Sequence, residues 1–234
     1  MPIDYTKRPS AIPTSKAKSP TAAAAPPSAA AAVSLSKVRL TKAAPTVSLA
    51  KHGGSSGMLH VNLNWDARPP AKGLFKKTQQ LDLDLGCLYE FADGTKGVVQ
   101  ALGNTFTARN RKGKQLLRLD GDDRSGQVSG GENLFIDLTD PSAIRRVLVF
   151  ALIYEGAANW AAANGVATLT PAGAAPIEVL LDDPREGARI CAIALISNRN
   201  GEIVVQREVN YVNGAQRALD EAYDWGMNWT RGRK

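Results

Sequence analysis

Residues 144–154, IRRVLVFALIY, constrain the fold more than any other stretch of the chain. Past its two arginines the run is almost continuously apolar and rich in β-branched and aromatic side chains. Such residues lose rotamer freedom in a helix and pack well on a pleated surface. The run therefore predicts a central buried strand, and a central strand requires neighbours. Residues 59–65, LHVNLNW, alternate apolar and polar as a half-buried strand does. Residues 81–89, LDLDLGCLY, form a second such strand, and Asp93-Gly94 closes a hairpin from it into residues 96–102. Residues 104–114 are polar and basic and read as a surface loop. Residues 116–119 and 133–138 read as strands on either side of an acidic loop.

After the central run, residues 156–164 suggest a short helical or turn segment. Residues 166–170 and 177–181 follow as short strands separated by Pro171 and Pro176. Residues 189–197 and 202–210 bracket Asn198-Arg199-Asn200-Gly201, where Asn-Gly favours a hairpin turn. One helical stretch, residues 215–225, closes the pattern. Many short strands with frequent turn signals and a single terminal helix predict a mostly β fold, a β-sandwich with one C-terminal helix.

Composition sets the expected domain limits within the 234 residues. Residues 1–57 are dominated by Ala, Pro, Ser and Lys and contain almost no large apolar side chains. A segment of that kind cannot bury enough surface to offset its ordering entropy, so it is expected to be a disordered tail, with residues 58–234 as one folded domain. The tail carries eight basic residues against the single acid Asp4, which accounts for the whole net charge of +7. The rest is neutral, with 21 basic and 21 acidic side chains. The basic isoelectric point therefore belongs to the tail, which is expected to contact anionic surfaces weakly, and no specific nucleic-acid binding is expected of the domain. There is no run of 18 apolar residues and no basic segment followed by an apolar stretch at the N-terminus, so the chain reads as cytoplasmic. Cys87 and Cys191 lie in apolar strand-like segments and read as reduced core residues. The two His are far from either Cys in sequence, which argues against a structural zinc site.

The residues with chemical potential are acidic. Asp82 and Asp84 are two apart on one strand and so share a face, opposite Leu81, Leu83 and Leu85. Two carboxylates so placed repel unless solvated, hydrogen-bonded or bridged by a cation. Asp122 and Asp123 lie in the glycine-flanked loop GDDRSG, and Glu132 opens the strand after it. Carboxylates on separate strands and loops can converge on a hard cation, which as calcium takes about 6–8 oxygen ligands. The same residues also read as a solvent-facing strand and a solvated turn. The EF-hand template fails: counted from Asp120, position 5 is Arg124, position 6 is Ser125 and position 12 is Gly131. Any calcium site must be assembled from separate elements.

Taken in order, Asp82-Leu83-Asp84, the loop Gly121-Asp122-Asp123-Arg124-Ser125-Gly126, and Glu132 leading into Phe135-Ile136-Asp137-Leu138 resemble the TerD-type tellurium-resistance and stress-protein domain. The segments RRVLVFALIYEGAANWAAANGVATL and GEIVVQREVNYVNGAQRALDEAYDWGMNW are closer to its TerA-like branch. The resemblance covers about residues 59–229. It implies a calcium-binding β-sandwich without settled enzymatic activity, associated with tellurite and other chemical stress and with phage resistance. It also implies partners among other tellurite-resistance and stress proteins, and peripheral membrane association through them. Carried over by position, it assigns Asp82, Asp84, Asp122, Asp123 and Glu132 as Ca2+ ligands. The chain departs from the pattern at Gly130-Gly131, where members often carry further acids.

Two rival readings use the same acidic cluster. A metal-dependent enzyme would use the carboxylates as acid and base or as magnesium ligands. However, no paired His, nucleophile elbow or phosphate-binding glycine loop is present. Calcium-dependent membrane binding needs apolar or basic loop tips around the ion, and Arg124 alone meets that need in the acidic loop. His60 reads as an ordinary strand residue, and Trp160, Trp225 and Trp229 as packing residues of the sandwich.

Overall fold

The computed structural model describes residues 37–54, 56–65, 81–120, 130–156, 159–184 and 186–229. In chain order, β1 (Val38–Arg39), β2 (Thr46–Ser48), β3 (Met58–Asn64), β4 (Asp82–Phe91), β5 (Lys96–Val99) and β6 (Thr107–Arg109) lead to β7 (Gln115–Leu119) and β8 (Glu132–Asp137). Then follow β9 (Ile144–Glu155), the short helix α1 (Trp160–Ala163), β10 (Gly165–Pro171), β11 (Ile177–Leu181), β12 (Ile190–Arg199), β13 (Glu202–Val212) and α2 (Gln216–Ala222). Sheet A has the order β1-β11-β10-β3-β8-β7-β6, and sheet B the order β2-β13-β12-β9-β4-β5. This is the expected sandwich with its C-terminal helix.

Alternation explains the layer between the sheets. Leu59, Val61 and Leu63 of β3 and Leu134 and Ile136 of β8 meet Leu83, Leu85 and Cys87 of β4 and Val147 and Val149 of β9. Each fully buried aliphatic side chain contributes roughly 1.5–3 kcal/mol relative to exposure. The near-continuous apolarity of β9 has a second cause. Its other face carries Leu148 and Phe150, which with Leu88, Ile190 and Ala192 pack under Leu219 of α2 and Trp225 beyond it. β9 is thus covered by sheet A on one side and by the C-terminal helix region on the other. Gly86 pairs with Phe150 across β4 and β9. A Cβ there would stand 2.6 Å from the Phe150 ring, so glycine is what lets the ring lie over the strand.

The turns follow local chemistry. Asp93 accepts from the amides of Thr95 at 2.9 Å and Arg111 at 2.7 Å, fixing the β4–β5 turn and tying the β6–β7 hairpin to it. Asn200 and Gly201 both have positive φ (55° and 89°), as a tight hairpin between β12 and β13 demands.

Two expectations are corrected. The boundary at residue 57 lies inside the fold: β1 pairs with β11 in sheet A, β2 pairs with β13 in sheet B, and Leu40, Val47 and Leu49 are buried. The composition of 57 residues taken together hid three apolar side chains spaced to reach the core. Residues 1–36 of the expected tail lie outside the described residues. Residues 104–114 are not all loop either, because β6 pairs with β7 and buries Ala108. Cys87 and Cys191 are free and buried, and burial pushes both thiols well above the usual range. Trp160 and Trp225 are fully buried packing residues. Among the described residues no helix is long and apolar enough to cross a membrane.

Candidate functional site

β4 and β8 bring three of the five sequence-predicted acids to one corner of the sandwich. Asp84 shares a face of β4 with Gly86 and Leu88, away from the core leucines, and pairs across β9 with Leu152. That face is not solvent-facing: Asp82 is 7% and Asp84 6% exposed. Burying carboxylates in this way is costly unless the charge is compensated.

Glu132 reaches the same corner from the opposite sheet. On β8 it has the inward parity of Leu134 and Ile136, and it pairs with the core residue Leu63 of β3. It is 1% exposed, and its Oε2 accepts from the amide of Leu85 at 2.5 Å. The β4–β5 ladder begins only at Cys87–Val99, so Leu85 lies beyond its end. The carboxylate takes the place of a missing neighbour strand there, bridging sheet A to the Asp84–Leu85 peptide of sheet B.

Asp122 and Asp123 lie outside the described residues. The ends of their loop are described. The Asp120 amide donates to the Asn133 carbonyl at 2.8 Å, and its exposed carboxylate pairs with Arg118 at 2.8 Å. At the other end the Gly130 carbonyl accepts from Asn62 Nδ2. Gly131 has φ +62°, and a Cβ on it would stand 2.1 Å from the Leu63 carbonyl oxygen. An acidic side chain at 131 would require the backbone to move, which gives the departure at this position a structural cause. Among the described residues no group of three or more His, Cys, Asp or Glu side chains is close enough to hold a metal. Glu132 meets β4 from the core side while Asp84 lies on the other face of that strand, so the described acids do not form a ligand set by themselves.

Two buried acids outside this corner were not singled out by the sequence. Glu90, 2% exposed, accepts from Arg145 Nη1 and Arg146 Nε, each at 2.8 Å, with Lys96 at 3.8 Å. Burial alone would raise its pKa, but the Arg146 bond and the charges of Arg146, Lys96 and Arg145 outweigh it and hold the carboxyl below its ordinary value. Arg146 also donates to the carbonyls of Tyr223 and Asp224 and lies 3.9 Å over the Trp225 ring, so it binds the end of α2 to sheet B. Asp220 accepts from the amides of Gly226 (2.8 Å) and Met227 (3.0 Å) and from Trp229 Nε1 (2.6 Å), folding the C-terminal segment back on α2. These are structural charges. The double arginine at the start of an apolar strand was the signal for the first: Arg145 is exposed and Arg146 partly buried, and Glu90 is the buried partner they share. His60 stacks on Phe135 at 4.8 Å and bonds Asn133 at 2.8 Å, an ordinary strand environment.

Comparison with known proteins agrees with the sandwich and with the resemblance drawn from the acids. No protein-family model matches the chain. A crystal structure of a protein of unknown function, SAV2460, shares the fold with a TM-score of 0.50 at 17% identity, over 68% of this chain and 92% of that one. The crystal structure of a homologue of the telluride resistance protein TerD from Streptomyces coelicolor A3(2) aligns with a TM-score of 0.48 at 21% identity, over 68% of this chain and 92% of that chain. A tellurium resistance protein TerA from an Alcaligenes species is 43% identical over 206 residues, which is 86% of this chain and 60% of the relative. The chain thus spans less than two thirds of that relative's length, and over most of its own length it is a homologue of the TerA-type tellurium resistance proteins.

Proposed function

We propose that this chain is a calcium-binding, non-catalytic module of a cytoplasmic tellurite-resistance and stress-response system, acting as a binding or scaffold component of a larger complex. The observation that carries the reading is the burial of Asp82, Asp84 and Glu132 at one corner, with Glu132 reaching from one sheet to the other. In sequence Asp122 and Asp123 fall between Asp120 and Gly130, nine residues or more before Glu132. All five are hard oxygen donors, the chemistry that calcium selects. A bound ion would neutralise carboxylates that otherwise repel. Asp82 and Asp84 would hold it from β4 and Glu132 from β8, with Asp122 and Asp123 supplied by the loop. An ion held in this way ties sheet A to sheet B and fixes the surface around the loop, which is the surface offered to partners among other tellurite-resistance and stress proteins.

The test is a thermal melt of the full chain in EDTA, with calcium or magnesium then added back. Calcium at a hundredfold excess over Kd should stabilise the fold by about 2.7 kcal/mol, with magnesium doing less. Asp84→Asn and Asp122→Asn should abolish the rise while leaving the melt in EDTA nearly unchanged. No calcium-selective rise, or one that survives both substitutions, rejects the site.

A further inference from the structure

Beside β5, the edge strand of sheet B, lies a groove of about 570 Å³, within the size range of small-molecule sites. Val98 and Leu102 line it from the β5 side, and Met227 and Trp229 from the segment folded back on α2. Gln100 and Gln216 also line it, and they are only 9% and 7% exposed. Gln216 Nε2 donates to Gln100 Oε1 at 2.8 Å, and among the described residues neither side chain has another hydrogen bond. A carboxamide has two N–H donors and an acceptor oxygen, so the pair keeps the amino group of Gln100 and the oxygen of Gln216 uncommitted. Exchanging nitrogen and oxygen in both amides leaves the same inventory. Neither of these two uncommitted atoms is among the buried side-chain atoms that lack a partner, so both open onto space where water or a ligand can meet them.

The pair is also held in place. The Gln100 amide donates to the Thr105 carbonyl at 3.0 Å, and Thr105 Oγ1 donates to the Gln100 carbonyl at 3.2 Å. Gln216 is the first residue of α2. A donor and an acceptor carried on two carboxamides joined by a 2.8 Å hydrogen bond, in a groove that also presents Val98, Leu102, Met227 and Trp229, suit a flat ring with an acceptor and a donor on adjacent atoms.

We propose that this groove binds small planar molecules bearing a lactam edge. The ligand carbonyl accepts from Gln100 Nε2, its ring N–H donates to Gln216 Oε1, and the ring packs between Val98 and Leu102 on one side and Met227 and Trp229 on the other. The site is separate from the acidic corner and does not depend on calcium.

The probe is 2-pyridone, compared with N-methyl-2-pyridone, which keeps the ring and the carbonyl but lacks the N–H. Titrating each at millimolar concentration into the full chain, followed by saturation-transfer NMR and calorimetry, should show binding of 2-pyridone and about tenfold or greater weakening on methylation. The Gln100→Leu/Gln216→Leu double variant, accepted only if its melt is that of the folded protein, should lose the preference. Because the methylation comparison is made on the unaltered chain, it holds even if the double variant does not fold. Equal binding of the two probes would reduce the groove to an apolar contact and overturn the proposal. So would no binding of 2-pyridone, with ordered water meeting the amides, or a preference that survives the double substitution.

Discussion

At Gly131 the backbone adopts a φ of +62° and passes so close to β3 that an added Cβ would stand 2.1 Å from the Leu63 carbonyl oxygen. Gly131→Ala should therefore cost about 1–3 kcal/mol, from the left-handed conformation and the contact together. Urea unfolding reads this directly, and an unchanged midpoint would mean that the backbone shifts at no cost. The next residue separates charge from hydrogen bonding. Glu132→Gln keeps a side-chain oxygen for the Leu85 amide, so without calcium it should stay within about 1 kcal/mol of the parent. Glu132→Leu leaves that N–H buried and unmet and should lose about 1–3 kcal/mol. Equal losses in the two variants would show that the amide bond is not what Glu132 contributes. Under the proposed function, adding calcium should set both variants below the parent, because neither replacement can supply a charged ligand.

The Glu90–Arg146 pair joins the end of α2 to sheet B, and its titration tests that joint. Glu90 is held below its ordinary pKa in the folded chain, so its stabilisation is fully present above the unfolded value near 4.5 and is lost as pH falls through the lowered folded value. Stability measured by urea should fall on acidification from about pH 6 to about pH 3, and Glu90→Gln should flatten part of that slope. Arg146→Met should cost about 1–3 kcal/mol at neutral pH, since it removes one of the two arginines bonded to buried Glu90, which keeps Arg145 and Lys96, and frees the carbonyls of Tyr223 and Asp224. At this scale the sequence was readable where one element sets its own pattern. The β-branched run of β9, the alternation of β3 and β10, and the Asn200-Gly201 hairpin all declare themselves locally. It was not readable where a partner decides. β1 and β6 are two and three residues long and are strands only because β11 and β7 pair with them. Alternation placed Asp82 and Asp84 on one face correctly, but whether that face is wet depends on what covers sheet B, which is encoded far away in the chain. The acidic corner was legible as a set of residue types in order. The bridging of Glu132 to the Leu85 amide was not, because it follows from where β5 stops.

At the scale of the molecule, residues 37–49 close one side of the sandwich. β1 adds to the β11 edge of sheet A and β2 to the β13 edge of sheet B, so a single short segment fastens both sheets. Backbone bonds continue the fastening: Val38 N to the Pro176 carbonyl, Leu49 N to the Ile203 carbonyl, and Arg207 N to the Pro45 carbonyl, at 2.9, 2.9 and 2.6 Å. Removing residues 1–36 deletes none of these contacts and should leave the urea midpoint where it is. Removing residues 1–57 deletes both strands and the buried Leu40, Val47 and Leu49. At roughly 1.5–3 kcal/mol for each side chain, the loss is about 5–9 kcal/mol. That is comparable to the whole stability of an ordinary domain, about 5–15 kcal/mol. It also leaves β11 and β13 as bare edges, which invite pairing between chains. The longer truncation should therefore be unfolded or aggregated at a temperature where the shorter one is native, as followed by near-ultraviolet circular dichroism and light scattering. A native spectrum from the longer truncation would return the domain boundary to residue 57 and make the N-terminal strands ornaments of a sandwich that is complete without them.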